Sequence, residues 1–224
     1  MNNGDKFKRY GMFIAGVIFT ALGISLITKA GLGTSPITSL AFVLTFIFPL
    51  SLGAFTMMVN SVMFLIQAVL LGRAFERVQL FQLPAALLFS ACIDGWMYLL
   101  GFWQTGSYVG QVLMLLLGCV FLGLGIALEV IPNVLILPGE GLVRVIAGLT
   151  GWRFGRVKTG FDMSIVASAV VVSAAATGQV LGIREGTIAA ALIVGSISHF
   201  FIEKVSAVLA GWIPAYEGAG DACS

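Results

Sequence analysis

Only 10% of the 224 residues carry a charged side chain, one residue is a histidine and three are cysteines. A single histidine, His199, excludes a multi-histidine metal centre. Cys92, Cys119 and Cys223 offer neither a paired zinc-ligand spacing nor a disulfide framework. Cys223 is the penultimate residue, so no prenylation box is expected. Twelve basic residues against ten acidic ones leave a net charge of +2, without the basic and aromatic patch that nucleic acid requires. No nucleophile and base stand in a recognisable arrangement, so neither catalysis, a cofactor nor a bound metal is expected.

What replaces the missing charge is hydrocarbon. The composition is 59% apolar and the mean hydropathy is +1.05, far outside the range of a soluble domain. A helix rises about 1.5 Å per residue through about 30 Å of hydrocarbon, so about 20 apolar residues make one span. Six runs qualify: Tyr10 to Thr28, Leu52 to Gly72, Leu80 to Gly101, Val109 to Leu128, Thr159 to Thr177 and Gly186 to Ile202. Two further runs, Ile37 to Pro49 and Gly139 to Thr150, are too short to cross, and each is opened by a proline, Pro36 or Pro138. Such segments are re-entrant or interfacial. The expected fold is an all-α polytopic membrane protein, one membrane domain over residues 1–224. It has six transmembrane helices plus two short re-entrant, broken helices.

Lysine and arginine concentrate in short cytoplasmic loops, which favours six spans with two re-entrant segments over eight spans, the arrangement in which both short runs cross and Arg73 and Arg77 move outside. With Lys6, Lys8 and Arg9 inside and both short runs returning to the side they entered, every basic residue except Lys29 and Arg184 falls on the cytoplasmic side. Both termini are then cytoplasmic. The basic N-terminal stretch before the first run lacks a cleavage site, so it reads as an uncleaved first helix. Trp96, Tyr98, Trp103, Tyr108, Trp152, Trp212 and Tyr216 sit near predicted span ends, where rings anchor at the interface.

A shift of 102 positions carries Gly23 onto Gly125, Ile24 onto Ile126, Pro36 onto Pro138, Leu40 onto Leu142 and Gly53 onto Gly155. The chain therefore divides into repeat 1, about residues 10–101, and repeat 2, about 109–211, followed by a tail over 214–224 expected to be disordered. Three spans per repeat is an odd number, so the second copy enters the membrane from the opposite face: an inverted-topology repeat.

Chemistry is expected where the short segments break the helical pattern. In Gly31-Leu32-Gly33-Thr34-Ser35-Pro36 the glycines permit a tight non-helical chain, Thr34 or Ser35 can cap, and proline suits a first helical turn. A half-helix starting there presents free N–H groups to the membrane interior, a place for an anionic group. The second copy, from Leu137 to Gly141, carries its own carboxylate, Glu140. Glu140, Arg144, Lys158 and Asp162 stand where repeat 1 has Thr38, Phe42, Thr56 and Asn60. Glu140 with Arg144, and Lys158 with Asp162, share helix faces at i, i+4. Intramembrane charge costs a few kcal/mol per residue, so this cluster has either a transport role or a salt-bridged structural one. Thr34, Ser35, Thr38, Asn60, Glu140 and Arg144 are the expected substrate-binding residues; Glu140, Lys158, Asp162 and Asp94 are the coupling or gating candidates. Asp94 and His199 also fit helix-to-helix hydrogen bonding, and Gln67 fits packing. Gly118, Gly123 and Gly125, like Gly11, Ala15 and Gly16, form small-residue faces for close helix approach.

The Gly31 to Pro36 stretch, Leu52-Gly53 followed by Asn60, and Leu137-Pro138-Gly139-Glu140-Gly141-Leu142 resemble the YczE/YyaS/YitT-type integral membrane proteins of bacteria. The resemblance runs from Tyr10 to about Trp212 and implies a multi-pass protein of the bacterial plasma membrane. The expected function is secondary transport of a small anionic or zwitterionic solute, with proton or sodium as candidate coupling ion and the lipid bilayer as surroundings. A homodimer is a further candidate assembly. The alternative is a non-transporting regulatory or scaffold protein, which predicts a sealed core without a cavity.

Overall fold

The computed structural model describes residues 3–103 and 106–209. The 214–224 tail, with Tyr216 and Cys223, lies outside the described residues, as does Trp212. Eight α-helices are described: α1 Asn3–Lys29, α2 Ser39–Ile47, α3 Leu52–Leu71, α4 Gln82–Leu99, α5 Tyr108–Val130, α6 Pro138–Thr150, α7 Phe154–Thr177 and α8 Glu185–Leu209. Six of them (α1, α3, α4, α5, α7 and α8) are long and apolar enough to cross a membrane, and they coincide with the six expected runs. The protein is a multi-pass membrane protein. The fifth span begins at Phe154 instead of Thr159. Arg156 and Lys158 do not end it, because both side chains face a cavity instead of hydrocarbon.

The two short helices are built as the sequence predicts. A 3-10 turn at Pro36–Thr38 leads into α2, so the segment Pro36–Ile47 is only about 18 Å long, and α6 is about 20 Å long. Neither reaches across about 30 Å of hydrocarbon. Each begins inside the bundle, where the Ile37 side chain lies against Gly139. These two residues are themselves equivalent under the 102-residue shift.

Interior helix packing is set by α1 against α5, the most extensive contact in the molecule. Gly16 meets Glu129, Gly23 meets Leu122, Gly125 meets Thr20 and Gly118 meets Ile27. Rising numbers on α1 meet falling numbers on α5, so the two helices run antiparallel. Among the expected small-residue positions, Gly123 packs against Ile197 of α8, while a Cβ on Gly11 would meet nothing within 4 Å among the described residues.

The loop before α2 folds back into the bundle: Ala30, Leu32, Thr34 and Ser35 are buried. Left-handed backbone at Gly31 (φ +73°) and Gly33 (φ +125°) makes that return. The start of α8 clamps it, with Gly186 N–H donating to the Leu32 carbonyl at 2.8 Å, Thr34 N–H to Thr187 Oγ1 at 3.1 Å and Arg184 Nη1 to the Gly31 carbonyl at 3.0 Å. This brings Lys29 and Arg184, the two basic residues expected outside, to one end of the molecule. At the opposite end Arg9 donates to the Pro132 carbonyl at 3.2 Å. Gly33→Ala combines a disfavoured φ with a clash against Thr187. We expect it to cost about 1–3 kcal/mol, read as a lower midpoint of thermal unfolding in detergent, with Gly11→Ala unchanged.

Candidate functional site

A cavity of about 1030 Å³ starts where the two short helices meet and widens toward the end of the molecule that carries Arg144, Arg153 and Arg156. Repeat 1 lines it with Ser35, Thr38, Thr56 and Asn60. The 102-equivalent positions of the last three, Glu140, Lys158 and Asp162, line it too. The sequence equivalence therefore becomes a spatial one: six matched positions enclose one space, with hydroxyl and amide groups on one wall and charges on the other.

Neither Thr34 nor Ser35 caps the helix that follows. Their hydroxyls bond sideways instead: Thr34 Oγ1 with Thr28 Oγ1 at 2.9 Å and with Thr38 Oγ1 at 3.1 Å, Ser35 Oγ with Thr38 Oγ1 at 2.8 Å. A connected hydroxyl network costs less inside a bundle than isolated groups would. The start of α6 also has no side-chain cap. Both half-helices thus keep their first N–H groups without a side-chain acceptor, with Glu140 in the first turn of α6. Thr34 is buried behind the cavity wall and reaches it only through Thr38.

Lys158 Nζ donates to Asp162 at 2.9 Å, the i, i+4 pair expected from spacing. The companion pair does not close. Among the described residues no ion pair within 4 Å joins Glu140 to Arg144, whose side chain is exposed at the cavity mouth. An arginine that can reach water gains little by bending back into a confined space. The Glu140 carboxylate stands in the combined field of Lys158, Asp162 and Arg144. Asn60 lines the cavity, and its Nδ2 donates to the Thr56 carbonyl of its own helix at 2.9 Å. His199 is half exposed, lines the cavity and lies 3.5 Å from Glu203. Gln67 is buried against Gly141 of α6.

Asp94 is elsewhere. Its carboxylate accepts from Ser51 Oγ at 2.6 Å and from Gly53 N–H at 2.7 Å, so it caps α3 from the side of α4. It touches no cavity wall.

One wall residue was not anticipated. Glu129, on the last turn of α5, is 4% exposed, lines the cavity and accepts a 2.6 Å hydrogen bond from Thr20 Oγ1 of α1. The sequence signal was present. Glu129 closes an apolar run with no basic residue three or four positions away on either side, so nothing local neutralises it.

The model of a family of unknown function, DUF6198, matches residues 7–203. Bacillus subtilis (strain 168) supplies two relatives. The "Uncharacterized membrane protein YczE" is 28% identical over 197 residues, covering 88% of this chain and 86% of its own. The "Uncharacterized protein YyaS" is 26% identical over 204 residues, covering 89% and 94%. No solved structure matches the chain.

Proposed function

The chain belongs to the DUF6198 family, and from its two short half-helices and the cavity they open into we propose that it is a secondary transporter of a small anionic or zwitterionic solute in a bacterial plasma membrane. It works by alternating access between two inverted repeats, each with one re-entrant helix. Three packing relations support the duplication. The contacts of Gly16 with Glu129 and of Thr20 with Gly125 exchange, under the 102-residue shift, into those of Gly118 with Ile27 and of Leu122 with Gly23. The pairing of α2 with α7 exchanges into that of α6 with α3. That of α1 with α4 exchanges into that of α5 with α8. Equivalent helices α1 and α5 run antiparallel, as an inversion requires.

The observation that carries the transport reading is the one place where this exchange fails. In repeat 1, α3 packs along α4; their counterparts α7 and α8 make no comparable contact, and the cavity lies between them. Two repeats of one fold thus hold two different arrangements at once, one closed and one open. Exchanging the arrangements between repeats closes the present opening and opens the opposite face, with the matched positions Thr38 and Glu140 at the pivot. The positive-inside rule puts the arginine-bearing mouth in the cytoplasm, making this the inward-open state. The cationic mouth and two uncapped half-helix N-termini select for negative charge on the solute. Glu140, Lys158 and Asp162 on the opposite wall favour a zwitterion or a coupled cation.

The test is cysteine accessibility in a variant freed of its native cysteines. Thr38→Cys and Glu140→Cys are expected to react with a membrane-impermeant maleimide applied from the cytoplasmic side of inverted vesicles, with much slower reaction in intact cells. Labelling from neither side rejects the transporter in favour of a sealed regulatory protein.

A further inference from the structure

Glu129 has no assigned task, and its surroundings differ from those of every other carboxylate described above. Asp162 has Lys158, and Asp94 has a helix N-terminus with a serine hydroxyl. Glu140 lies between Lys158 and Arg144. Glu129 is more than nine-tenths buried, with Oε1 on the Thr20 hydroxyl; among the described residues, Oε2 has neither a hydrogen-bond donor nor a cation within 4 Å. The residue borders the cavity.

The groups facing it leave its charge unanswered. From α1 comes Arg9, whose Nη1 donates to the Pro132 carbonyl and whose Nε has no partner, with no carboxylate within 4 Å among the described residues. From α6 come Glu140, a like charge felt at Glu129, and Arg144, turned to the mouth. From α7 come Lys158 and Asp162, already paired, and from α8 His199 beside Glu203. A carboxylate enclosed in a membrane bundle without a counter-cation takes up a positive species from the one space it borders. The α1 side leaves no room for a partner, since even a Cβ on Gly16 would sit 2.8 Å from Glu129 Cγ, so the positive species arrives from the cavity. Among the described residues, no three metal-ligating side chains gather there or elsewhere. A proton needs neither room nor further ligands.

We propose that Glu129 is a proton-binding group on the cavity wall, taking a proton on Oε2 from the cavity while Oε1 keeps the Thr20 hydrogen bond. Resting on the transport reading above, this makes it the group through which the cycle is coupled to a proton gradient. Its equivalent position in repeat 1 is Ile27, which cannot titrate, so the inversion does not duplicate the site and one such proton is bound per chain. Bound proton and free carboxylate also differ in what they ask of α1. The neutral form is compatible with a closed, dry α1 to α5 contact, whereas the charged form demands continued access to the cavity. Protonation state and cavity state are linked through one residue on the pseudosymmetric crossing.

Infrared spectroscopy of the full chain reconstituted in lipid, recorded over a pH series in sodium-free buffer, reads the carbonyl band of a protonated carboxyl group. The wild-type protein is expected to show a titrating band that Glu129→Gln abolishes and Glu140→Gln retains. Glutamine keeps an oxygen for Thr20, and a monodisperse gel-filtration profile shows that the variant is folded. A wild-type spectrum identical to that of Glu129→Gln over the series overturns the proposal. Excess sodium chloride at fixed pH supplies the second arm: a band unchanged by sodium supports the proton, and a band erased by it means that the carboxylate takes a metal ion, which also overturns the proposal. Neither arm requires transport, so a failure of the maleimide experiment and a failure here are separate results.

Discussion

Gly23→Ala and Gly118→Ala each destabilise the protein by about 1–3 kcal/mol, the range for forcing an extra carbon into a packed interior. They do so to a similar extent although they lie on different helices. A Cβ on Gly23 would stand 2.7 Å from both the Leu122 Cα and the Gly118 carbonyl oxygen. On Gly118 it would meet the Ile27 side chain at 2.7 Å and the Gly23 carbonyl oxygen at 2.9 Å. In both cases the obstacle includes backbone, which cannot rotate away, so α1 and α5 must part. The two glycines face each other, so their effects share one displacement and the double variant loses less than the sum of the two. Gly95→Ala, with nothing within 4 Å, is the control and stays within about 0.5 kcal/mol of the parent. Thermal unfolding followed by gel filtration in a fixed detergent reads all four. Equal stability of Gly23→Ala and Gly95→Ala would show that the crossing does not hold the bundle together. Lipid offers α1 and α5 no hydrophobic gain on association, so the contact depends on close van der Waals fit and a small separation forfeits most of what holds it.

The same crossing shows what the sequence makes legible. Six spans are readable because an apolar run of about 20 residues has few other physical uses, and hydrocarbon thickness imposes that length on each independently. The two half-helices are readable because Pro36 and Pro138 stand at equivalent positions in stretches too short to cross. The matched positions of the cavity, Thr38 with Glu140 and Asn60 with Asp162, follow from the shift alone. Side-chain partners do not. Thr20 and Glu129 are 109 residues apart, and only the antiparallel register of α1 on α5 joins them. Spacing gave Glu140 and Arg144 the same helix face, yet a long arginine goes to the water at the mouth, a choice decided by solvent access and invisible to periodicity. Asp94 takes a backbone N–H as one partner, and a main-chain donor leaves no mark in the sequence. The clamp of α8 on Gly31 to Thr34 is unreadable for the same reason, since two of its three bonds end on main-chain carbonyls and the third begins on a main-chain N–H.

Asp94→Asn is expected to produce the largest functional shift, turning the cavity toward the outside. In the proposed inward-open arrangement, the closed partner of the α7 to α8 opening is the α3 to α4 seam. Asp94 fastens that seam at the end where α3 begins, through Ser51 at 2.6 Å and Gly53 N–H at 2.7 Å. The seam is close as well as bonded, since a Cβ on Gly53 would lie 2.6 Å from the Asp94 carboxyl carbon. Hydrogen bonds to a charged group contribute about 1.5–3 kcal/mol each, and a carboxylate at a helix N-terminus adds about 0.3–1 kcal/mol. The counterpart of Asp94 in repeat 2 is Ser196, and those of Ser51 and Gly53 are Arg153 and Gly155. In the exchanged state a neutral hydroxyl takes the place of a carboxylate, so the latch that closes the inner mouth is the weaker of the two. In the proposed cycle this inequality favours the inward-open state, and removing the charge of Asp94 is expected to remove most of that preference. A loss of about 1–3 kcal/mol between two states changes their ratio by about 5–150-fold. Thr38→Cys in the Asp94→Asn background is therefore expected to react with impermeant maleimide in intact cells at least about tenfold faster than Thr38→Cys alone. Its reaction from the cytoplasmic side slows. Ser51→Ala, which removes the bond to Asp94 and the Ser51 cap on Ala54 N–H but leaves the carboxylate on Gly53, gives a smaller shift in the same direction. Unchanged external labelling in both variants, with the protein still folded, would mean that Asp94 merely caps α3 and that the α3 to α4 seam does not open.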